Sequence, residues 1–140
     1  MNITDTSSDQ IQAHRVPEEA RMDILPQHFE HHLLTVETAI YGYMNRLAPD
    51  YDGGFWAFYE LSNGGFYMAP DTSRTFRIEV EGNGFDGTLS ADAAGITACL
   101  FAFSHLSFRI RDPLVSEHFH LLRDFAAGHP EAALIFAAID

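Results

Sequence analysis

Hydrophobic and polar positions change period several times along the 140-residue chain, and the changes mark its elements. Phe29, Leu33, Val36, Ile40, Tyr43, Met44 and Leu47 recur every three or four residues, which places them on one face of a helix. That helix should end near Leu47, ahead of Pro49 and the turn-rich Asp50-Tyr51-Asp52-Gly53-Gly54. The pattern then becomes strand-like. Residues 55–61 are aromatic, Ser62-Asn63-Gly64-Gly65 is a turn signal, and Phe66-Tyr67-Met68 follows before Pro70, which together predict a β-hairpin. Residues 75–81 alternate, with Phe76, Ile78 and Val80 on one face and Thr75, Arg77, Glu79 and Glu81 on the other. Such a strand has one buried and one wet face. Gly82-Asn83-Gly84 turns the chain again, and residues 85–89 add a short edge segment.

Ser90 is a good N-cap, with Asp92 in the first turn of the helix it would start. That helix, to about Phe108, is apolar nearly all round, as expected of a central, buried helix. Asp112-Pro113 starts another, with Leu114, Val115, Phe119, Leu122 and Phe125 inward and Gly128 closing it. His129-Pro130 restarts a last short helix over residues 132–136. Upstream, residues 1–16 read as a flexible N-terminal tail. Val16-Pro17-Glu18-Glu19 reads as the start of a short helix that Pro26 interrupts. The order is helices, sheet, helices. It predicts an α+β fold, with a small antiparallel sheet of about three strands packed among helices in one domain over residues 17–140.

Twelve Phe residues predict a Phe-rich core. Charge narrows the function further. Twenty acids face eight basic residues, all of them Arg, for a net charge of -12. A chain without Lys lacks the flexible point charges that lie along phosphates, so direct nucleic-acid binding is not expected. The acidity serves either solubility or imitation of nucleic acid. No apolar run approaches a bilayer's thickness, the richest being residues 96–103, and residues 1–12 do not resemble an export signal. A cytoplasmic protein with no membrane contact is expected. The single Cys99 fits a reducing compartment, and its apolar neighbours mark it as a small buried hydrophobe.

Eight histidines make metal binding the first chemistry to consider. His28 and His32 have the i,i+4 spacing of a metal-binding helix face, but no third ligand stands at a readable spacing. His118 and His120, two apart on a helix, point to different sides. Nucleophile elbow, Walker loop, dinucleotide fingerprint and paired-cysteine motifs are all missing. The expectation is no metal, no cofactor and no catalysis.

The most distinctive stretch runs from Tyr51-Asp52-Gly53-Gly54-Phe55-Trp56 through Ser62-Asn63-Gly64-Gly65-Phe66-Tyr67-Met68-Ala69-Pro70. It resembles the signature of the ArdB/KlcA antirestriction family, found on plasmids, phages and genomic islands. Residues 82–96, Arg21-Met22, Leu25-Pro26 and the ending His129-Pro130-Glu131-Ala132-Ala133 are also similar to that family. The resemblance implies relief of type I restriction of incoming mobile DNA and a compact mixed fold, and it supplies no catalytic residues. It implies as partner a type I restriction enzyme subunit or a host factor controlling it. Within the motifs, Trp56, Phe58 and Phe66 suit the core, while Tyr59, Glu60, Asn63, Tyr67, Asn83, Asp86 and Asp92 are the candidate interaction surface. Turn and capping duties explain Asn63, Asn83 and Asp92 as well. The alternative mechanism is acidic mimicry of DNA. A globule ~37 Å across, by radius-of-gyration scaling, spans duplex with roughly 22 phosphates at one per ~1.7 Å. The chain's -12 is sparser and lies in no block longer than Glu18-Glu19, which favours a protein–protein mechanism.

Overall fold

The computed structural model describes residues 10–140. The chain begins with strand β1 (Ala13–Arg15), a 3-10 turn (Glu18–Ala20) and helix α1 (Arg21–Phe29). A second 3-10 turn (Glu30–His32) leads into helix α2 (Leu33–Leu47). Four strands follow: β2 (Trp56–Leu61), β3 (Phe66–Pro70), β4 (Thr75–Val80) and β5 (Phe85–Ser90). Helices α3 (Ala91–Arg109), α4 (Pro113–Ala126) and α5 (Ala132–Ile139) complete the chain. The strands form two antiparallel sheets, β1-β2-β3 and β4-β5. The α+β class and the small antiparallel sheet are as expected, and the segment after Gly84 pairs with β4 in a second sheet instead of extending the first.

Helix α3 is the axis of the molecule. Ser90 caps it, its Oγ accepting from the Ala93 N–H at 3.1 Å. Every residue from Ala93 to Leu100 is buried, because β3, α2, α4 and α5 close over α3 from several sides. Gly95 lets β3 come this close: a Cβ there would overlap Ala69 and lie 2.6 Å from the Met68 carbonyl oxygen. Cys99 is buried on the same face, and burial pushes its thiol up to about 12, which makes it an inert hydrophobe. The core is Phe-rich as predicted. Phe29, Phe66, Phe76 and Phe103 are fully buried, and Phe29 meets Phe66 edge-on at 5.7 Å.

Four expectations need correcting. Helix α3 spans 19 residues and is apolar enough to cross a membrane, more than the run 96–103 suggested, but here it is the core helix. Residues 13–16 are not a tail. Ala13–Arg15 pairs with β2, the Val16 N–H donates to the Phe58 carbonyl at 2.8 Å, and Val16 is buried. Backbone hydrogen bonds tie this edge strand to β2, and three residues with only Ala13 apolar are too short for a hydrophobic pattern to register. The tail reading for residues 1–9 lies outside the described residues. Pro26 sits inside α1 rather than ending it. The helical bond it forfeits belongs to the carbonyl of Met22, an exposed residue that water can serve. Finally, the helix predicted from Phe29 starts at Leu33. Glu30, with φ 53° and ψ -130°, breaks the chain between α1 and α2.

Candidate functional site

The hairpin register decides which candidate residues meet. Tyr59 and Tyr67 are cross-strand partners in β2 and β3, so their rings share a face and stack at 4.7 Å. Tyr67 also stacks on Phe125 of α4 at 5.6 Å, and its hydroxyl donates to Asp92 Oδ1 at 2.7 Å. Burial first, and Asp92 second, hold the Tyr67 phenol far above its ordinary pKa, so it stays a donor. Burial raises Tyr59 as well.

Asp92 sits in the first turn of α3 and uses its second oxygen to accept from His129 Nε2 at 2.8 Å. His129 Nδ1 accepts from the Glu131 N–H at 3.0 Å, which places the ring proton on Nε2. The Glu131 carboxylate in turn accepts from the Ser90 N–H at 2.9 Å and from the Ser90 hydroxyl. One chain of hydrogen bonds therefore runs from the hairpin through the N-terminus of α3 to the start of α5. Both nitrogens of His129, only 8% exposed at its side chain, are used inside the fold.

The remaining candidates go elsewhere. Glu60 points to the opposite face of β2, where His28 Nε2 contacts its Oε2 at 2.8 Å. The His28 ring lies 5.1 Å from that of His118. His118 is 4% exposed and its Nδ1 has no partner. Burial, and then His28, lower its pKa to about 4. Asn63 accepts from the Gly65 N–H within the turn and donates to the Leu121 carbonyl at 2.9 Å, tying the hairpin to α4. Asn83 does the same in the next turn, accepting from the Phe85 N–H and donating to the Ala138 carbonyl at 2.9 Å. Asp86 is exposed and takes a bidentate pair from Arg77, at 2.9 and 2.6 Å, which lowers its pKa.

The structure thus gathers Tyr59, Tyr67 and Asp92, sets Glu60 on the reverse face, and gives both Asn residues turn and docking bonds. Sequence reasoning missed His129 and Glu131 as members of the Asp92 cluster. The only signal was their place in a family-like segment, since Asp92 and His129 are 37 positions apart. The His28/His32 pair does not converge: His28 turns to Glu60 and His32 Nε2 to Asp112 at 3.3 Å. The helix break at Glu30 separates them. Among the described residues no three His, Cys, Asp or Glu side chains gather as a metal site.

Comparison with known proteins places the chain. The antirestriction protein family matches residues 49–140. An antirestriction protein KlcA of Escherichia coli is 48% identical over 141 aligned positions, covering 96% of this chain and 99% of that one. Another Escherichia coli antirestriction protein KlcA is 49% identical, covering 93% and 94%. A solved structure superposes with a TM-score of 0.87 at 46% identity over the full length of both chains. It comes from work on the KlcA and ArdB proteins, which are described as showing a novel fold and antirestriction activity against Type I DNA restriction systems in vivo but not in vitro. With the family matched over most of its length and relatives near half identity along nearly all of it, the chain belongs to the antirestriction protein family.

Proposed function

We propose that this protein relieves type I restriction of incoming mobile DNA in the cytoplasm by binding another protein, either a restriction subunit or a host factor controlling it. The observation that carries the reading is the cluster around Asp92. Its donors and acceptors are largely used within the fold, and His129 keeps no nitrogen for a substrate. What it offers outward is the half-buried Tyr59 ring and an accessible edge of Asp92, which suits a contact surface better than a reaction. The reading assigns no catalysis and no cofactor. Glu60, Asn63, Asn83 and Asp86 remain proposed contributors, on the strength of the motifs that contain them.

Two further observations support a protein partner. Activity in vivo but not in vitro, as described for the KlcA and ArdB proteins, is the behaviour expected when a cellular component is required. Mimicry of DNA needs dense rows of uncompensated charge, whereas Asp52, Asp71, Glu79 and Asp86 already lie in ion pairs with Arg. The test is a challenge of a restricting host with unmodified phage. Expression should raise plating efficiency while host DNA stays modified. Equal plating with and without the expressed protein would overturn the proposal.

A further inference from the structure

A second surface lies away from Asp92, along the seam between α2 and the C-terminal half of α3. The two helices run antiparallel there, with Tyr43 stacked on Phe101 at 5.6 Å and meeting His105 at 6.0 Å. Toward the start of α2 the seam opens into a groove of about 570 Å³ between Leu34, Thr38 and Ala39 on one side and His105, Arg109 and Ile110 on the other. It continues past Gly42 to Arg46, since the same Ala39 and His105 line the next depression.

Three features of this groove are unexplained by the fold. Gly42 lies in the interior of α2, where glycine is unfavourable, yet a Cβ there would meet nothing within 4 Å. Nothing in the monomer requires the missing side chain. A large apolar residue stands open at one end: Leu34 is 68% exposed, with Ala39 and Ile110 partly open beside it. The charged groups are cationic in a chain of net charge -12. Arg46 and Arg109 line the groove, and neither pairs with a carboxylate among the described residues, unlike Arg15, Arg74 and Arg77. Acids enter only at the far end, where Glu79 and Glu81 flank Arg46.

We propose that this groove is a docking surface for an acidic amphipathic helix of a partner protein. Small residues at Ala39 and Gly42 let a third helix approach the seam closely. Leu34, Ala39 and Ile110 would take its apolar stripe, and Arg46 and Arg109 would face carboxylates on its flanks. The length from Leu34 to Leu47 suits about 14 residues of helix, roughly 20 Å at 1.5 Å per residue. The inference stands apart from the Asp92 patch and does not need it.

The probe is a pair of stapled peptides of about 14 residues with the same Leu stripe, one carrying Glu and the other Lys on its flanks. Amide shifts of the isotope-labelled full chain report binding. The Glu peptide should perturb Ala39, Gly42, His105 and Arg109, and the Lys peptide should not. Arg46→Glu with Arg109→Glu should weaken binding at least about tenfold, as reversal of two interfacial charges does. Gly42→Gln, a helix-compatible change into open space, should weaken it too while leaving the thermal melt intact. The inference is overturned if both peptides bind alike, if the groove amides stay still, or if short duplex DNA perturbs the same amides.

Discussion

His129 and His28 each meet a carboxylate at 2.8 Å, one from α3 and the other from β2. The neighbourhoods differ. Around His129 both ring nitrogens are engaged, and the carboxylate serves a buried tyrosine as well. Around His28 the carboxylate partner serves that ring alone, and the next ring along, His118, carries a buried nitrogen with no partner. The first arrangement is a lock between three elements. The second is an imperfect seam, where the His118 ring is packed against Phe29 and Phe103 and the His28 ring against Phe66. A buried hydrogen bond adds modestly to stability, but an orphaned buried group costs its full desolvation, so removing a partner should hurt far more at the first site.

Asp92→Ala is the strongest way to break the comparison. It strands the Tyr67 hydroxyl and the His129 Nε2–H together, at about 1–3 kcal/mol for each unsatisfied buried group. A loss of about 3 kcal/mol, or roughly 10 °C in Tm for a domain of this size, is expected. Glu60→Ala should cost no more than about 1 kcal/mol, because this half-exposed carboxylate holds one ring and no second donor. Equal losses in urea titrations would show that the two sites are not the lock and seam described.

The second test is acid. The folded-state pKa of His118, about 4, lies below the unfolded 6.5, so the folded state favours the neutral ring. Its contribution is complete above pH 6.5 and falls as pH drops toward 4, by at most about 3 kcal/mol at 1.36 kcal/mol per unit. Asp71 and Asp86 have lowered pKa values, so their contributions fail only below the ordinary carboxylate range near 3.8. Melts of the parent and of His118→Phe between pH 7 and 4 therefore read out the share of His118. His118→Phe should flatten that slope and add about 1 kcal/mol at pH 7 by removing the unpartnered nitrogen. An unchanged slope would place the acid sensitivity elsewhere.

The sequence made much of this readable where side chains repeat with a period. The Tyr59–Tyr67 pair follows once the hairpin around Asn63-Gly64 is recognised, because that turn sets the register. The buried α3 followed from its all-round apolar surface. What stayed hidden has no period. β1 is held through backbone groups, and the break at Glu30 depends on how α1 and α2 dock. The Asp92–His129 bond joins two local signals, an N-cap turn and a helix restart, that carry no mark of each other. His28 looked paired with His32 only while one helix was assumed to contain both.

The smallest expected stability effect is also the sharpest functional test, because it compares four accessible carboxylates. Glu60 is the open partner of the seam, and Asp86 lies on the exposed face of the second sheet beside Arg77. Glu18 and Glu19 are exposed on the 3-10 turn before α1 and stand outside the distinctive motifs. Glu60→Gln with Asp86→Asn removes the same charge as Glu18→Gln with Glu19→Gln, and amides keep the shape of each side chain. If bulk acidity relieves restriction, the two double variants should lose the same small fraction of activity. If a defined surface does so, the first pair should plate unmodified phage about tenfold less well than the second, because a few residues dominate most interfaces. The second result is expected. Matched thermal melts are the necessary control, since Asp86 also holds Arg77 across β4 and β5. Equal activity in two well-folded variants would remove Glu60 and Asp86 from the proposed surface and leave Tyr59 and Asp92 to carry it.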